Sequence, residues 1–268
     1  MVIDMHTHIW PDCVAKRAVE TLENIGQVNA FTDGTIDGLQ ASMERAGVDY
    51  SVVLPVVTKP EQFDSVIAFA EEVNNRKNLI SFGGVHLKDV AYKEHLRRIK
   101  EKGLPGVKLH PDYQRTFFDD IECLHIIDYA LGLNLAVTVH AGIDIGRPSP
   151  VHCTPERVLR VYKELKLGDN VDNKLILAHT GGYGCWQQVL DLLAGTKLYF
   201  DISYTIGFLS TELFIKILRT HGSDRMMFGT DSPWGDQTAT IAAVRELPLT
   251  DKEKANLLSD TARKLLTI

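Results

Sequence analysis

Cysteine is scarce in this sequence and never clustered. Cys13, Cys123, Cys153 and Cys185 are the only four in 268 residues, and no CxxC pair occurs. That argues against a disulfide scaffold or a thiolate zinc knuckle, and leaves buried thiols as the expectation. Long apolar runs are also missing, none approaching the ~18 residues of a membrane-spanning helix. The N-terminal Met-Val-Ile-Asp-Met-His lacks the charged segment and apolar core of a signal peptide. Positive charge is not in excess: the formal net charge is −6, which disfavours nucleic acid and anionic membrane as partners. No repeat, low-complexity tract or composition shift marks a linker. A cytoplasmic enzyme acting on a small molecule is the simplest expectation. Barrel-type helical surfaces often pair copies of a chain, so a homo-oligomer is compatible with it.

What is present is an alternation. Short apolar runs rich in β-branched residues are separated by longer stretches of helical period, the pattern of βα units around a parallel sheet. Strands are expected near Val2–His6, Tyr50–Val56, Leu79–Val85, Gly106–His110, Asn134–His140, Lys174–His179, Lys197–Ile202 and Arg225–Thr230. Eight is the number that closes a (β/α)₈ barrel, which takes about 250 residues. The fold class expected is therefore α/β, a TIM barrel forming one domain over residues 1–268.

Helix signals agree with this spacing. Thr154-Pro155-Glu156 sets proline just after a candidate N-cap, Thr250 with Glu253 forms a candidate capping box, and Gly103, Gly132 and Gly222 stand where helices should stop. Two connections are long: Ile9 to Thr35, with a helix near Cys13–Asn24, and Ala141 to Cys153, containing Arg147-Pro148-Ser149-Pro150. Both follow strand C-termini, where barrel enzymes build their active sites.

The ten histidines are unevenly placed. His6, His8, His110, His140 and His179 all lie at or beside expected strand C-termini. Side chains alternate along a strand, so His6 and His8 share a face, and an H-x-H pair at a barrel mouth can chelate a metal. Such a pair alone occurs by chance. Here two further apolar runs end in His140 and His179, and the last ends in Phe228-Gly229-Thr230-Asp231. Several polar groups stacked at one mouth need partners, and a metal supplies them.

Taken in order, Asp4-Met5-His6-Thr7-His8, His140, His179-Thr180-Gly181-Gly182 and Gly229-Thr230-Asp231-Ser232-Pro233 resemble the amidohydrolase superfamily. The closest likeness is to its branch of metal-dependent hydrolases and aminocarboxymuconate-semialdehyde decarboxylase-type enzymes. The resemblance implies one divalent metal, zinc foremost, held by His6, His8 and His140. Asp231 would be a further ligand or the catalytic base, and His179 would polarise the substrate or hydrogen-bond water at the metal.

Lys108 stands two residues before His110 and should share its face. It either grips a substrate anion or, carboxylated as in some superfamily members, bridges to a second metal. Arg147 is a candidate for pairing an anionic substrate group. Trp10, Tyr113, Gln114, Trp186 and Trp234 are candidates for the pocket wall, with His110 as a further substrate contact. His86 can reach the mouth from the third strand. His95, His125 and His221 fall in or near helices and read as packing or surface residues. Two activities follow. The first is hydrolysis of an amide, ester or lactone by metal-activated water, with Asp231 moving the proton. The second, on the same ligands, is decarboxylation of an unsaturated or aromatic carboxylic acid.

Overall fold

A computed structural model describes residues 1–170 and 173–268. Nine parallel strand segments occupy the eight expected positions: β1 (Ile3–Thr7), β2 (Tyr50–Val53), β3 (Leu79–Ser81), β4 (Gly83–Gly84), β5 (Gly106–Leu109), β6 (Ala136–Val139), β7 (Leu175–Leu177), β8 (Tyr199–Asp201) and β9 (Met226–Met227). The third position is split at Phe82, so that β3 pairs with β2 while β4 pairs with β5. The last position meets the first through single bonds rather than a ladder. Met5 N–H donates to Phe228 O at 2.9 Å and Asp231 N–H to His6 O at 2.8 Å.

Closure also shows in the packing. Ile3, Met5, Val52, Phe82, Ala136, Ile176 and Met227 come from strands that are not all neighbours, yet they pack in one cluster. They can meet only inside a barrel. Ala262 and Leu265 from the terminal helix (Thr261–Leu266) join them and plug one end. Alternate residues of the same strands, Val107, Val137, Val139, Leu175, Leu177 and Phe200 among them, face outward into the larger core beneath the helices. The chain is thus a single-domain α/β TIM barrel. No helix among the described residues is long and apolar enough to cross a membrane.

One irregularity aims the first histidine. Simple alternation would put Asp4 and His6 on the same face. The β1–β2 register instead shifts between Asp4 and Thr7. Asp4 points outward, its Oδ2 accepting from Thr230 Oγ1 at 2.6 Å and Gln237 Nε2 at 2.8 Å, and its Oδ1 from Thr230 N–H at 3.0 Å. His6 turns inward. Asp4 thereby ties the first strand to the segment carrying Asp231, although burial raises its pKa to about 6 against those bonds.

The helix signals mostly act as expected. Thr154 accepts from Arg157 N–H with Pro155 at the first helical position, and Thr250 with Glu253 closes a full capping box. Gly103 follows its helix at φ 73° and Gly222 caps one at φ 100°. Gly132 is instead the last helical residue, and Asn134 takes the left-handed position at φ 58°. Asparagine tolerates that conformation through local hydrogen bonding, which lets it stand in for glycine. The first helix, α1, runs from Asp12 to Gly26. Of the thiols, Cys123 and Cys153 are buried, Cys185 is half-buried and Cys13 is exposed.

His221 packs in the core, stacked on Phe200 at 3.9 Å. Its Nε2 donates to Leu198 O at 3.0 Å while Nδ1 accepts from Gly195 N–H at 3.3 Å. Protonation would cost that acceptor, and burial lowers the pKa from 6.5 to about 4. The unfolded chain takes up the proton first. The contribution is therefore full above pH 6.5 and is lost as pH falls toward 4, by roughly 3–4 kcal/mol in total. Urea unfolding at pH 7.5 and 4.5 should show this loss in the wild type and a smaller one in His221→Gln. Equal pH slopes in the two proteins would refute it.

Candidate active site

Two hydrogen bonds fix the tautomers of the first pair of histidines. His6 Nδ1 donates to the buried carboxylate Asp201 Oδ2 at 2.9 Å. His8 Nδ1 donates to Leu54 O at 2.8 Å, since a carbonyl can only accept. Each proton sits on Nδ1, so both Nε2 atoms carry bare lone pairs. They stand 3.2 Å apart, and Asp231 Oδ1 lies 3.3 Å from one and 3.2 Å from the other. Three electron pairs converging at such distances repel unless a cation joins them, so this donor set fits a divalent metal. Lys108 sets a cationic side chain against it, its Nζ 3.1 Å from His6 Nε2. Burial lowers the Lys108 pKa to about 8, with Asp201 and Asp231 opposing the shift.

His140 is reached by a parallel argument. His179 Nδ1 lies 3.0 Å from Ser203 O and donates to it, so His179 Nε2 accepts from His140 Nδ1 at 3.0 Å. His140 Nε2 is then a buried lone pair with no hydrogen-bond partner, a second mark of a site made to receive a cation. The ligand atoms of His6, His8 and Asp231 lie within 4.8 Å of one another; those of His110, His140 and Asp144 form a second such group beside them. His110 stacks on His140 at 4.2 Å.

The electrostatics follow from burial among charges. Desolvation raises the Asp231 pKa, but His6, His8 and His179 outweigh it and hold the carboxyl well below its usual range. Burial and then Lys108 bring His6 down to about 4, and burial holds His110 and His140 well below 6.5. The backbone is shaped to match. His179, Thr180, Tyr204 and Asp231 all have left-handed φ between 48° and 66°, a costly conformation for such residues that clusters at functional sites.

A cavity of about 210 Å³ opens over the triad. Trp10, Tyr113, Tyr183, Tyr204 and Trp234 give it aromatic walls, with Lys108, His110 and Asp144 among the polar groups facing it. Of the residues singled out from sequence, His6, His8, Lys108, His110, Tyr113, His140, His179, Asp231, Trp10 and Trp234 all line this space. Arg147 does not. It is exposed, 5.2 Å above the Tyr113 ring. Gln114 ties loops together, its amide donating to Val57 O and Val85 O at 2.8 Å each. Trp186 donates to His179 O at 3.0 Å. His86 accepts from Lys88 N–H at 3.0 Å, outside the lining. His95 pairs with Asp89, His152 with Asp112, and His125 is exposed.

Asp201, Ser203, Tyr183, Tyr204 and Asp144 escaped the sequence reading. Asp201 had a signal. It is a carboxylate at the end of the apolar run Leu198-Tyr199-Phe200, where an unpaired charge would be too costly to bury.

The model of the family described as Amidohydrolase matches residues 3–268. The chain belongs to that family. It is accordingly an enzyme. No curated protein matches it. Several solved structures share the fold of this amidohydrolase. A 2,6-dihydroxybenzoate decarboxylase in complex with 2,6-dihydroxybenzoate is 13% identical, with 100% of this chain and 99% of that one covered and a TM-score of 0.76. The dihydroxybenzoic acid decarboxylase of Polaromonas sp. JS666, solved with manganese and 2-nitroresorcinol, is 13% identical over 99% and 96%, with a TM-score of 0.74. The 5-carboxyvanillate decarboxylase of Sphingomonas paucimobilis is 13% identical over 100% and 99%, with a TM-score of 0.68. At such identity the likeness is one of fold.

Proposed function

We propose that this amidohydrolase-family protein is a metal-dependent carboxy-lyase that removes carbon dioxide from a small aromatic carboxylic acid. The observation that carries this is the cavity: aromatic walls close over a lone-pair triad with the Lys108 ammonium at its floor. A dry cavity of ~150 Å³ accepts benzene, so about 210 Å³ suits one substituted ring. The structural neighbours named as decarboxylases support this second of the two sequence expectations over hydrolysis.

His6, His8 and Asp231 would hold the metal, with His140 Nε2 as the fourth donor. Once bound, it supplies a Lewis acid that holds the substrate's oxygens and draws electron density from them. Imidazole and carboxylate donors suit zinc and also manganese. Zinc is retained as the expected ion, and metal analysis of protein purified without chelator decides it.

The reaction exchanges C–CO₂⁻ for C–H. One proton must reach the ring carbon; the C–C bond then breaks, its electron pair restores the aromatic ring, and carbon dioxide leaves. Asp231, held ionised by its neighbours, is placed to take up a proton from solvent or from a substrate hydroxyl and relay it to the ring carbon. Lys108 pairs with the substrate's carboxylate and so orients the bond to be broken. His179, fixed by Ser203, positions His140.

The test is a screen of benzoic acids, plain and substituted, for carbon dioxide release, alongside amides, esters and lactones. Carbon dioxide release from an aryl acid is expected. Cleavage of an amide, ester or lactone with no aryl acid turned over would transfer the site to hydrolysis.

A further inference from the structure

The cavity is lined by a further carboxylate that the reaction above does not use. Asp144 lines it, is only 8% exposed, and its Oδ1 is buried with no hydrogen-bond partner. The other oxygen, Oδ2, faces His110 Nε2 at 3.5 Å. His110 Nδ1 accepts from Tyr113 N–H at 3.4 Å, so the ring proton sits on Nε2, directed toward the Asp144 carboxylate. This makes His110 a donor to Asp144 rather than a fellow metal ligand.

The loop holding Asp144 is pinned. Gly142 N–H donates to Cys153 O at 2.8 Å, Ile143 N–H to Tyr183 O at 2.9 Å, and Arg147 N–H to Asp144 O at 3.0 Å. Gly142 lies so close to this neighbour that an added Cβ would meet Tyr183 N at 2.2 Å. A buried carboxylate with an oxygen lacking a donor carries a desolvation penalty that a donor reaching it from the cavity would relieve.

We propose that Asp144 is a specificity-determining residue that accepts a hydrogen bond from a hydroxyl or amino substituent on the substrate. The inference rests on the aryl-acid reading of the cavity. The substrate then lies with its carboxylate toward Lys108 and its donor substituent toward the Asp144 carboxylate. An acid bearing a methoxy group there, with no hydrogen to give, leaves the carboxylate unpaired, as does an unsubstituted ring. Sites built to bond a hydroxyl reject analogues lacking it far more strongly than apolar pockets reject a size change.

The experiment is equilibrium binding of matched hydroxy-, amino- and methoxybenzoates, substituted at each ring position, and of benzoate, to metal-loaded wild type and Asp144→Leu. In the wild type the best hydroxy or amino acid should bind at least about tenfold tighter than its methoxy partner and than benzoate, the worth of one charge-assisted bond. In Asp144→Leu that ratio should fall to near one. Metal content should match the wild type, as expected of a residue that contacts the substrate and not the ion. Aryl acids that bind without such preference, or a preference surviving in Asp144→Leu, would overturn this proposal and leave the carboxy-lyase reading standing. Loss of metal in the variant would also overturn it. If no aryl acid binds at all, both readings fall together.

Discussion

Asp231→Asn is expected to lower turnover by about 10³-fold, the loss typical of removing a proton carrier. Asparagine is the informative replacement. Asp231 sits at φ 66°, a left-handed conformation that asparagine tolerates and alanine does not. It keeps the shape and the backbone bond from Asp231 N–H to His6 O, so the fold and the two histidines stay in place. What it removes is the charge facing two bare Nε2 atoms and the group able to carry the proton. The two losses separate by titration with metal. If saturating metal restored turnover to within tenfold of wild type, Asp231 would be a ligand alone and the proton would come from elsewhere. A kcat that stays low at full metal loading keeps the carboxyl in the proton transfer.

The barrel was legible because its strands are buried on both faces. Buried runs such as Leu175–Leu177 and Ala136–Val139, the latter interrupted only by Thr138, leave little else for the chain to form. The break at Phe82 was not. Phe82 fills the inside of the barrel, and Gly106 gives it room: a Cβ there would meet its ring at 2.5 Å. That accommodation is a contact between distant residues and leaves no local pattern. Likewise, His6 and His8 were visible as a pair, whereas the register shift after Asp4 goes with an outward Asp4 bonded to Gln237, 233 positions away.

The candidate site divides along the same line. Residues at strand ends were readable, since position in a strand fixes direction: Lys108, His110, His140 and Asp231 all reach the cavity. Residues in the loop after β6 were not. There Arg147 looked the better anion partner by residue type, but the turn closed by its own N–H to Asp144 O places its side chain outside. Asp144, three positions earlier, is the one carried in. Loop direction is set by tertiary pins such as Gly142 against Tyr183, which composition does not reveal.

Lys108→Met should reduce kcat/KM for an aryl acid by about 10²-fold while leaving the metal content of the protein unchanged. The magnitude is that of a charge-assisted bond to a carboxylate, ~1.5–3 kcal/mol. Methionine keeps the length and apolar stem of the side chain, which matters because Lys108 is 1% exposed and packs inside the barrel. The two roles open to this residue part company here. A cationic lysine that binds the substrate costs affinity for the acid and no metal when replaced. A carboxylated lysine bridging two ions would cost one metal per chain, and the structure already argues for the first role. The Nζ faces the bare Nε2 of His6 at 3.1 Å as a donor would, and His179, the partner needed for a second ion, spends its Nδ1 proton on Ser203 O and its Nε2 on His140. Stability should rise rather than fall. Burial penalises the Lys108 charge enough to lower its pKa from 10.5 to about 8, so at pH 7 the folded protein carries a cost that methionine lacks. That cost is full below pH 8 and fades as pH rises toward 10.5. Thermal unfolding at pH 7 and pH 10 measures it: the variant's advantage should shrink at the higher pH. A variant that loses half its metal, or is less stable than wild type at pH 7, would put Lys108 among the ligands instead.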